Sequence, residues 1–434
     1  MKNTKIVVLL VAALLPAFAA AQSMFRGDAA HTGVYQGAGP REFHRVKWAF
    51  PTGARVVSSP VMKDKVVYFG SDDGNVYAVG ADDGRQVWMR STRGAVSGTP
   101  AIAGESLYVT SFDGSLYALN TRNGAMRWKF VTEGERRFEA KGLHGMTPKD
   151  QTFFDPFDIF LSSPVVADGL VYFASGDSHL YAVDAASGEL KWKFKAGDVV
   201  HASPAYADGV LYFGSWDSYF YAVDARTGQE KWRFHGGEDP LIHNQVGFQS
   251  SAAVVDGVVY VGCRDSNLYA LDAATGKEKW KFNNNGSWVI TSPAVTKGKV
   301  IFATSDSSLY YVVDAQTGKQ VVKQQAKAYM FASPAVAGGV VYQPVLNGTL
   351  EARDLETGEV LWSFRTEASK RNKYWALTAD GRFNIPMLFR SQAGDSQIPT
   401  VERELSVGSM LSTPLVANGT VYVGSNDGNL YAID

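Results

Sequence analysis

Residues Ser162 to Phe194 read SSPVVADGLVYFASGDSHLYAVDAASGELKWKF. A small-small-Pro step opens this stretch. Val171-Tyr172-Phe173, Tyr181-Ala182-Val183-Asp184 and Lys191-Trp192-Lys193-Phe194 follow, separated by Asp177-Ser178 and Ser187-Gly188. β-branched and aromatic runs bounded by such turn residues read as short antiparallel strands. Working outward, the same order recurs eight times. The proline of the opening step, or its equivalent, stands at Pro60, Pro100, Pro164, Pro204, Ala252, Pro293, Pro334 and Pro414. The spacings are 40, 64, 40, 48, 41, 41 and 80 residues, which give a period near 40 interrupted by inserts. Four strands per copy at that period predict an all-β, eight-bladed propeller of four-stranded antiparallel blades.

The turns follow the pattern. Asp73-Gly74, Asp113-Gly114, Asp177-Ser178, Asp217-Ser218, Asp265-Ser266, Asp306-Ser307, Asn347-Gly348 and Asp427-Gly428 place a tight turn between the second and third strands of each copy. The outer strand carries Trp88, Trp128, Trp192, Trp232, Trp280 and Trp362, with Val322 in the sixth copy. One large amphipathic ring per blade suits a wedge between neighbouring blades. The eighth copy reaches Asp434 without an outer strand, whereas Val46–Phe50 is a strand without a blade. The N-terminal strand is therefore expected to complete the last blade and remove the open sheet edges.

Lys2 and Lys5 precede an apolar stretch, Ile6–Phe18, and then Ala19-Ala20-Ala21. This predicts a secretory signal peptide over 1–21 and a single propeller domain over 22–434, placed in the periplasm or secreted, with no transmembrane anchor after cleavage. No cysteine follows the apolar run, so no lipid anchor is expected. Cys263 is the single cysteine and reads as a small buried filler. With 42 basic and 43 acidic residues the net charge is −1, which leaves no basic field for nucleic acid. A monomer is expected.

Three inserts, about 131–161, 235–249 and 365–410, fall between the outer strand of one copy and the inner strand of the next, so one face of the ring should carry them all. The residues before the small-small pair, Val57, Ser97, Leu161, His201, Gln249, Ile290, Phe331 and Leu411, should ring the axial mouth. Candidate ligand-contacting residues around it are Arg55, His201, Trp216, Gln249, Arg264, Trp288 and Tyr329, together with His243, Asn244 and Gln245. An aromatic face with an arginine nearby suits a flat ligand bearing carboxylates. In the first insert, Phe153-Phe154-Asp155-Pro156-Phe157-Asp158-Ile159-Phe160 offers Asp155 and Asp158 as a general base or calcium oxygens, among phenylalanines that suit a loop packed over the channel or a protein-binding patch. No metal spacing, Ser-His-Asp arrangement, phosphate loop or CxxC is present.

The unit Tyr-Ala-Val-Asp-Ala-x-Thr-Gly-x-x-x-Trp resembles the tryptophan-docking repeat of the pyrroloquinoline quinone (PQQ) propeller superfamily. Phe25-Arg26-Gly27-Asp28 with His31-Thr32-Gly33 is similar to its N-terminal lead-in. The resemblance implies the eight-bladed fold and two functional branches. One is the cofactor-free scaffolds of outer-membrane protein assembly, which imply envelope proteins or peptides as partners and an extended client strand captured at an edge or groove. The other is the quinoprotein alcohol dehydrogenases, which imply PQQ and calcium; none of that branch's calcium ligands or its catalytic aspartate is matched to a position here, and under that reading Asp155 or Asp158, from this chain's own residues, would be the base and Arg264 or Arg55 would hold the quinone carboxylates. The scaffold is the first expectation, the dehydrogenase the second, and a ligand- or carbohydrate-binding sensor using Trp216 and Trp288 the third.

Overall fold

The strands of this protein close on themselves. The computed structural model describes residues 22–237, 247–372, 375–389 and 397–434. The expected signal peptide and His243, Asn244 and Gln245 lie outside the described residues. Eight antiparallel sheets form the blades, each ordered from an inner three-residue strand to an outer six-residue strand; the third, for example, runs Val165–Ala167, Leu170–Ala174, His179–Asp184 and Leu190–Lys195. In the eighth, Val46–Pro51 pairs antiparallel with Asn429–Ile433, so the N-terminal strand is the outer strand of the last blade, as expected.

Indole docking locks neighbouring blades together. The Nε1–H of Trp88 donates to the Thr121 carbonyl at 2.8 Å, that of Trp192 to Ala225 at 3.0 Å and that of Trp232 to Ala273 at 3.0 Å, each reaching into the next blade. Trp362 instead donates to Pro40 at 3.0 Å, so the N-terminal segment supplies the acceptor where the eighth copy runs out. The glycine after the third strand lies against the preceding blade's tryptophan in the first six blades, and Gly358 lies against Val322 in the seventh. A Cβ on Gly276, at φ +70°, would stand 2.5 Å from Trp232 Cε3. The Thr-Gly turn is thus required both by its left-handed backbone and by the ring beneath it.

Two devices hold the axis. The second residue of the small-small pair was expected only to be small. The structure shows that its hydroxyl also bonds: Ser163 accepts from the Thr99 N–H, Ser203 from Ser163, Ser251 from Ser203, Ser292 from Ser251, Ser333 from Ser292 and Ser59 from Thr413, at 2.8–3.0 Å. Second, the segment Gln22–Gly33 laces the opposite end of the channel. Its carbonyls at Gln22, Ser23, Ala29, Ala30, Thr32 and Gly33 accept from inner-strand N–H groups of six blades. Arg26, 1% exposed, donates to the carbonyls of Pro293 (2.8 Å), Pro334 (3.1 Å) and His31 (3.3 Å). Val34–Tyr35 then adds a parallel strand inside the seventh blade.

The turn aspartates are clamps. Asp177 accepts from Tyr181 Oη (2.6 Å) and from the Glu133 N–H of the preceding outer loop (2.9 Å); Asp217 does the same with Tyr221 (2.7 Å) and Gly197 (2.6 Å). The sixth turn corrects the reading of Asp306 as one more copy. Elsewhere the turn closes from residue i to i+4, as in Ser215 to Tyr219 and Cys263 to Asn267; here it closes from Thr304 to Leu309, one residue longer. Asp306 is therefore five residues from Tyr311, outside the tyrosine clamp.

Gly276→Ala is expected to cost about 1–3 kcal/mol more than Gly257→Ala. Gly257 has the same φ (+71°) with open space around it, so both variants carry backbone strain and one carries the overlap with Trp232 as well. Urea unfolding of the two variants measures the difference, and equal losses would remove the docking role assigned to the glycine.

Candidate functional site

Eight blades converging on one axis leave a narrow mouth, and all eight residues expected to ring it line one cavity of about 50 Å³. Phe25 of the lacing segment and Phe160 of the first insert border the same cavity, so it is capped from both ends.

The first insert makes a two-stranded ribbon, Glu139–Lys141 with Thr152–Phe154, and then delivers Asp155 and Asp158 to the mouth. The two carboxylates do not converge. Asp155 accepts Arg264 Nη1 at 2.6 Å on Oδ2 and the Phe157 N–H at 2.8 Å on Oδ1, and His144 Nε2 lies 3.2 Å from Oδ2. Asp158 accepts the Phe138 N–H at 2.7 Å and meets His201 Nδ1 at 2.7 Å; His201 Nε2 meets Glu135 Oε1 at 2.8 Å. Glu135 in turn accepts from Ser175 Oγ and the Gly176 N–H, both at 2.9 Å.

Arg264, 1% exposed, is spent on all sides. Its Nε and Nη2 donate to Gln249 Oε1 at 3.1 and 2.8 Å, and Gln249 Nε2 returns to the Phe157 carbonyl at 2.8 Å. Its guanidinium carbon lies 4.2 Å from the Trp216 ring centre and 4.0 Å from that of Trp288. Trp216 has Phe138 stacked on it at 4.4 Å and 3°. The structure thus brings Asp155, Asp158, His201, Trp216, Gln249, Arg264 and Trp288 into one buried cluster. Arg55 sits apart, paired with Glu402 of the third insert, and Tyr329 borders a neighbouring cavity.

Electrostatics follow from these contacts. Burial disfavours ionised Asp155, but Arg264 and then His144 hold its carboxyl well below the usual carboxylate range. Burial alone would push His201 down, yet Asp158 and Glu135 on its two nitrogens push it up to about 10. The cluster is an arginine–carboxylate pair beside an imidazolium between two carboxylates. Such paired, buried ions hold geometry and are poor proton acceptors. The Cys263 thiol, buried, is pushed well above its ordinary value and is no nucleophile.

PQQ and calcium do not fit these residues as arranged. A quinone could stack on Trp216 only by displacing Phe138 or Arg264, each Arg264 nitrogen already donates to an acceptor, and Asp155 and Asp158 face different partners. Sequence reasoning missed Glu135, Phe138 and the role of His144; Glu135 had no local signal, since its partner His201 is distant in sequence.

Residues 37–158, 157–287 and 264–380 match the family model described as outer membrane protein assembly factor BamB. Two curated proteins of that name, from Shewanella oneidensis and Yersinia pestis, are 25% and 24% identical over 167 and 168 residues. Those matches cover 35% of this chain and 42% and 43% of the relatives, so less than half the length of each relative is spanned. Among solved structures, BamB from Moraxella catarrhalis superposes with a TM-score of 0.63 at 14% identity, over 90% of this chain and 97% of that one. A europium-containing methanol dehydrogenase superposes at 0.68 and 15%, over 94% and 90%. At these identities the structural likeness shows the propeller fold alone.

Asp155→Asn leaves the Arg264 cation buried without its counter-ion and is expected to cost about 3–5 kcal/mol in urea unfolding, with Arg264→Met restoring part of the loss when combined. Additive losses would show that the two groups do not act as a pair. Because the folded His201 titrates above its unfolded value of about 6.5, its stabilisation is complete below that pH and is lost as pH rises toward 10. The stability gap between wild type and His201→Gln should therefore narrow between pH 7 and 10; a constant gap would contradict the imidazolium assignment.

Proposed function

The chain belongs to the family of the outer membrane protein assembly factor BamB, and from that premise we propose that it is a protein-binding propeller of the cell envelope, acting through its insert-bearing face in the assembly of outer-membrane proteins. The observation that carries this reading is the division of labour on that face. Around the axis Arg264, Asp155, Asp158, His201, Glu135 and Gln249 answer one another, while the inserts turn large apolar groups outward. Trp375 is 72% exposed, with Ile385 and Phe389 in the same insert and Phe154 in the first also exposed. A rigid platform with apolar groups displayed on loops suits contact with a protein partner. An extended client segment would lie across these groups. The export signal read over residues 1–21 agrees with an envelope location, and no helix among the described residues is long and apolar enough to cross a membrane.

A photo-crosslinking residue placed at position 375 or 385 is expected to capture a component of outer-membrane assembly, identified by mass spectrometry. The same residue at Val321, exposed on an outer blade strand, should not. Equal capture from both sites, or none from the insert, would overturn the proposal.

A further inference from the structure

The longer turn of the sixth blade has a consequence on the insert face. Asp306, released from the tyrosine clamp, borders a cavity of about 200 Å³ enclosed by the first insert, the sixth blade and the third insert. His144, Phe157, Trp288, Tyr329, Phe389 and Glu404 complete its working wall. Two acids therefore share one small space with four aromatic rings. The Glu404 side chain is 3% exposed, and its Oε2 has no hydrogen-bond partner. The Trp288 indole N–H, on a residue 4% exposed, is likewise unpartnered. Unsatisfied buried polar atoms at the edge of a cavity large enough for a side chain point to a missing ligand.

The surrounding charges define its sign. Arg264 is neutralised by Asp155, Arg403 donates to the Leu388 carbonyl at 2.8 Å, and Glu402 is paired with Arg55. His144 lies against Asp155. Arg403 acts on Glu404, and His144 and Arg264 on Asp306, only without direct contact, so that neither acid has a cation within ion-pair distance. Among the described residues no three metal-donor side chains converge. Aromatic faces beside carboxylates favour an ammonium or guanidinium head with an aliphatic stem.

We propose that this cavity is a specificity pocket for a lysine or arginine side chain of an extended peptide, with the cationic head between Asp306 and Glu404 and a peptide carbonyl taking the Trp288 N–H. This rests on the protein-binding reading above and names the chemistry of the partner. Burial and then the proximity of Asp306 push the Glu404 carboxyl up to about 8; desolvation also raises that of Asp306, although Asp306 itself is an exposed residue at the rim. An arriving cation favours the ionised acid, so binding releases a proton at neutral pH and tightens as pH rises toward 9.

Isothermal titration of the purified chain with acetyl-Gly-Lys-Gly-amide, its norleucine counterpart and n-butylammonium tests this. The lysine peptide should bind at least about tenfold tighter than the norleucine peptide. Asp306→Asn should weaken it about tenfold, Asp306→Asn with Glu404→Gln should abolish it, and proton release should show as a heat that depends on the buffer. Equal affinity for norleucine, or no loss in Asp306→Asn with its melting transition unchanged, would overturn the pocket. Binding of n-butylammonium without the lysine peptide would overturn the side-chain assignment. Lysine-selective binding without capture of an assembly component from position 375 would keep the pocket and remove the assembly function; capture without lysine selectivity would do the reverse.

Discussion

Arg264 is a full charge inside the protein, flat between two tryptophans, and the insert-bearing face is built to neutralise it. Taking a guanidinium out of water is tolerated only where its donors and its charge are answered. Gln249, from the loop before the fifth blade, accepts from Nε and Nη2, and Asp155, from the first insert, accepts from Nη1. The insert is thereby drawn across the axis, where Asp158 can meet His201 and Phe160 can cover the mouth. Removing the arginine would unseat a loop that begins more than a hundred residues earlier in the chain. The Phe138–Trp216 stack and the second cavity depend on the same seating.

Beneath that face the ring is a repeated solution to one problem, how to join wedge-shaped sheets without leaving an edge. The outer-strand tryptophans fill the wedges and spend their N–H groups on the next blade or, for Trp362, on the N-terminal segment; the turn glycines let the rings lie close; Asp73, Asp177, Asp217 and Asp265 tie the preceding outer loops. At the axis, serine hydroxyls hand hydrogen bonds from blade to blade. The N-terminal segment does two further jobs. It lends Pro40 to Trp362 and laces the far end of the channel around Arg26. The rigid support is what lets the inserts carry a surface of their own.

Much of this was legible because it is periodic. The blades, the closure by Val46–Phe50 and the axial position of His201 and Gln249 all follow from counting along the repeat. The serine ring was half legible: the pattern demanded small residues, but hydroxyl-to-amide bonding across blades leaves no local trace. The lacing segment Gln22–Gly33, whose partners lie in six different blades, showed only as the Phe25–Gly33 motif. The pairing of Asp155 with Arg264, 109 residues away, could not be read from either neighbourhood. Asp306 was misread for the opposite reason. Its Asp-Ser step imitates the repeat, and only the backbone bond from Thr304 to Leu309 reveals the additional residue that frees it.

Amide hydrogen exchange across residues 138–160 reports whether the buried Arg264–Asp155 pair seats the first insert as a fixed part of the binding face. The account predicts that the Phe138 and Asp155 amides exchange slowly in the wild type. It also predicts that they become fast in Asp155→Asn while the blade strands keep their protection. Rapid exchange of those amides in the wild type, or protection unchanged by the substitution, would contradict it.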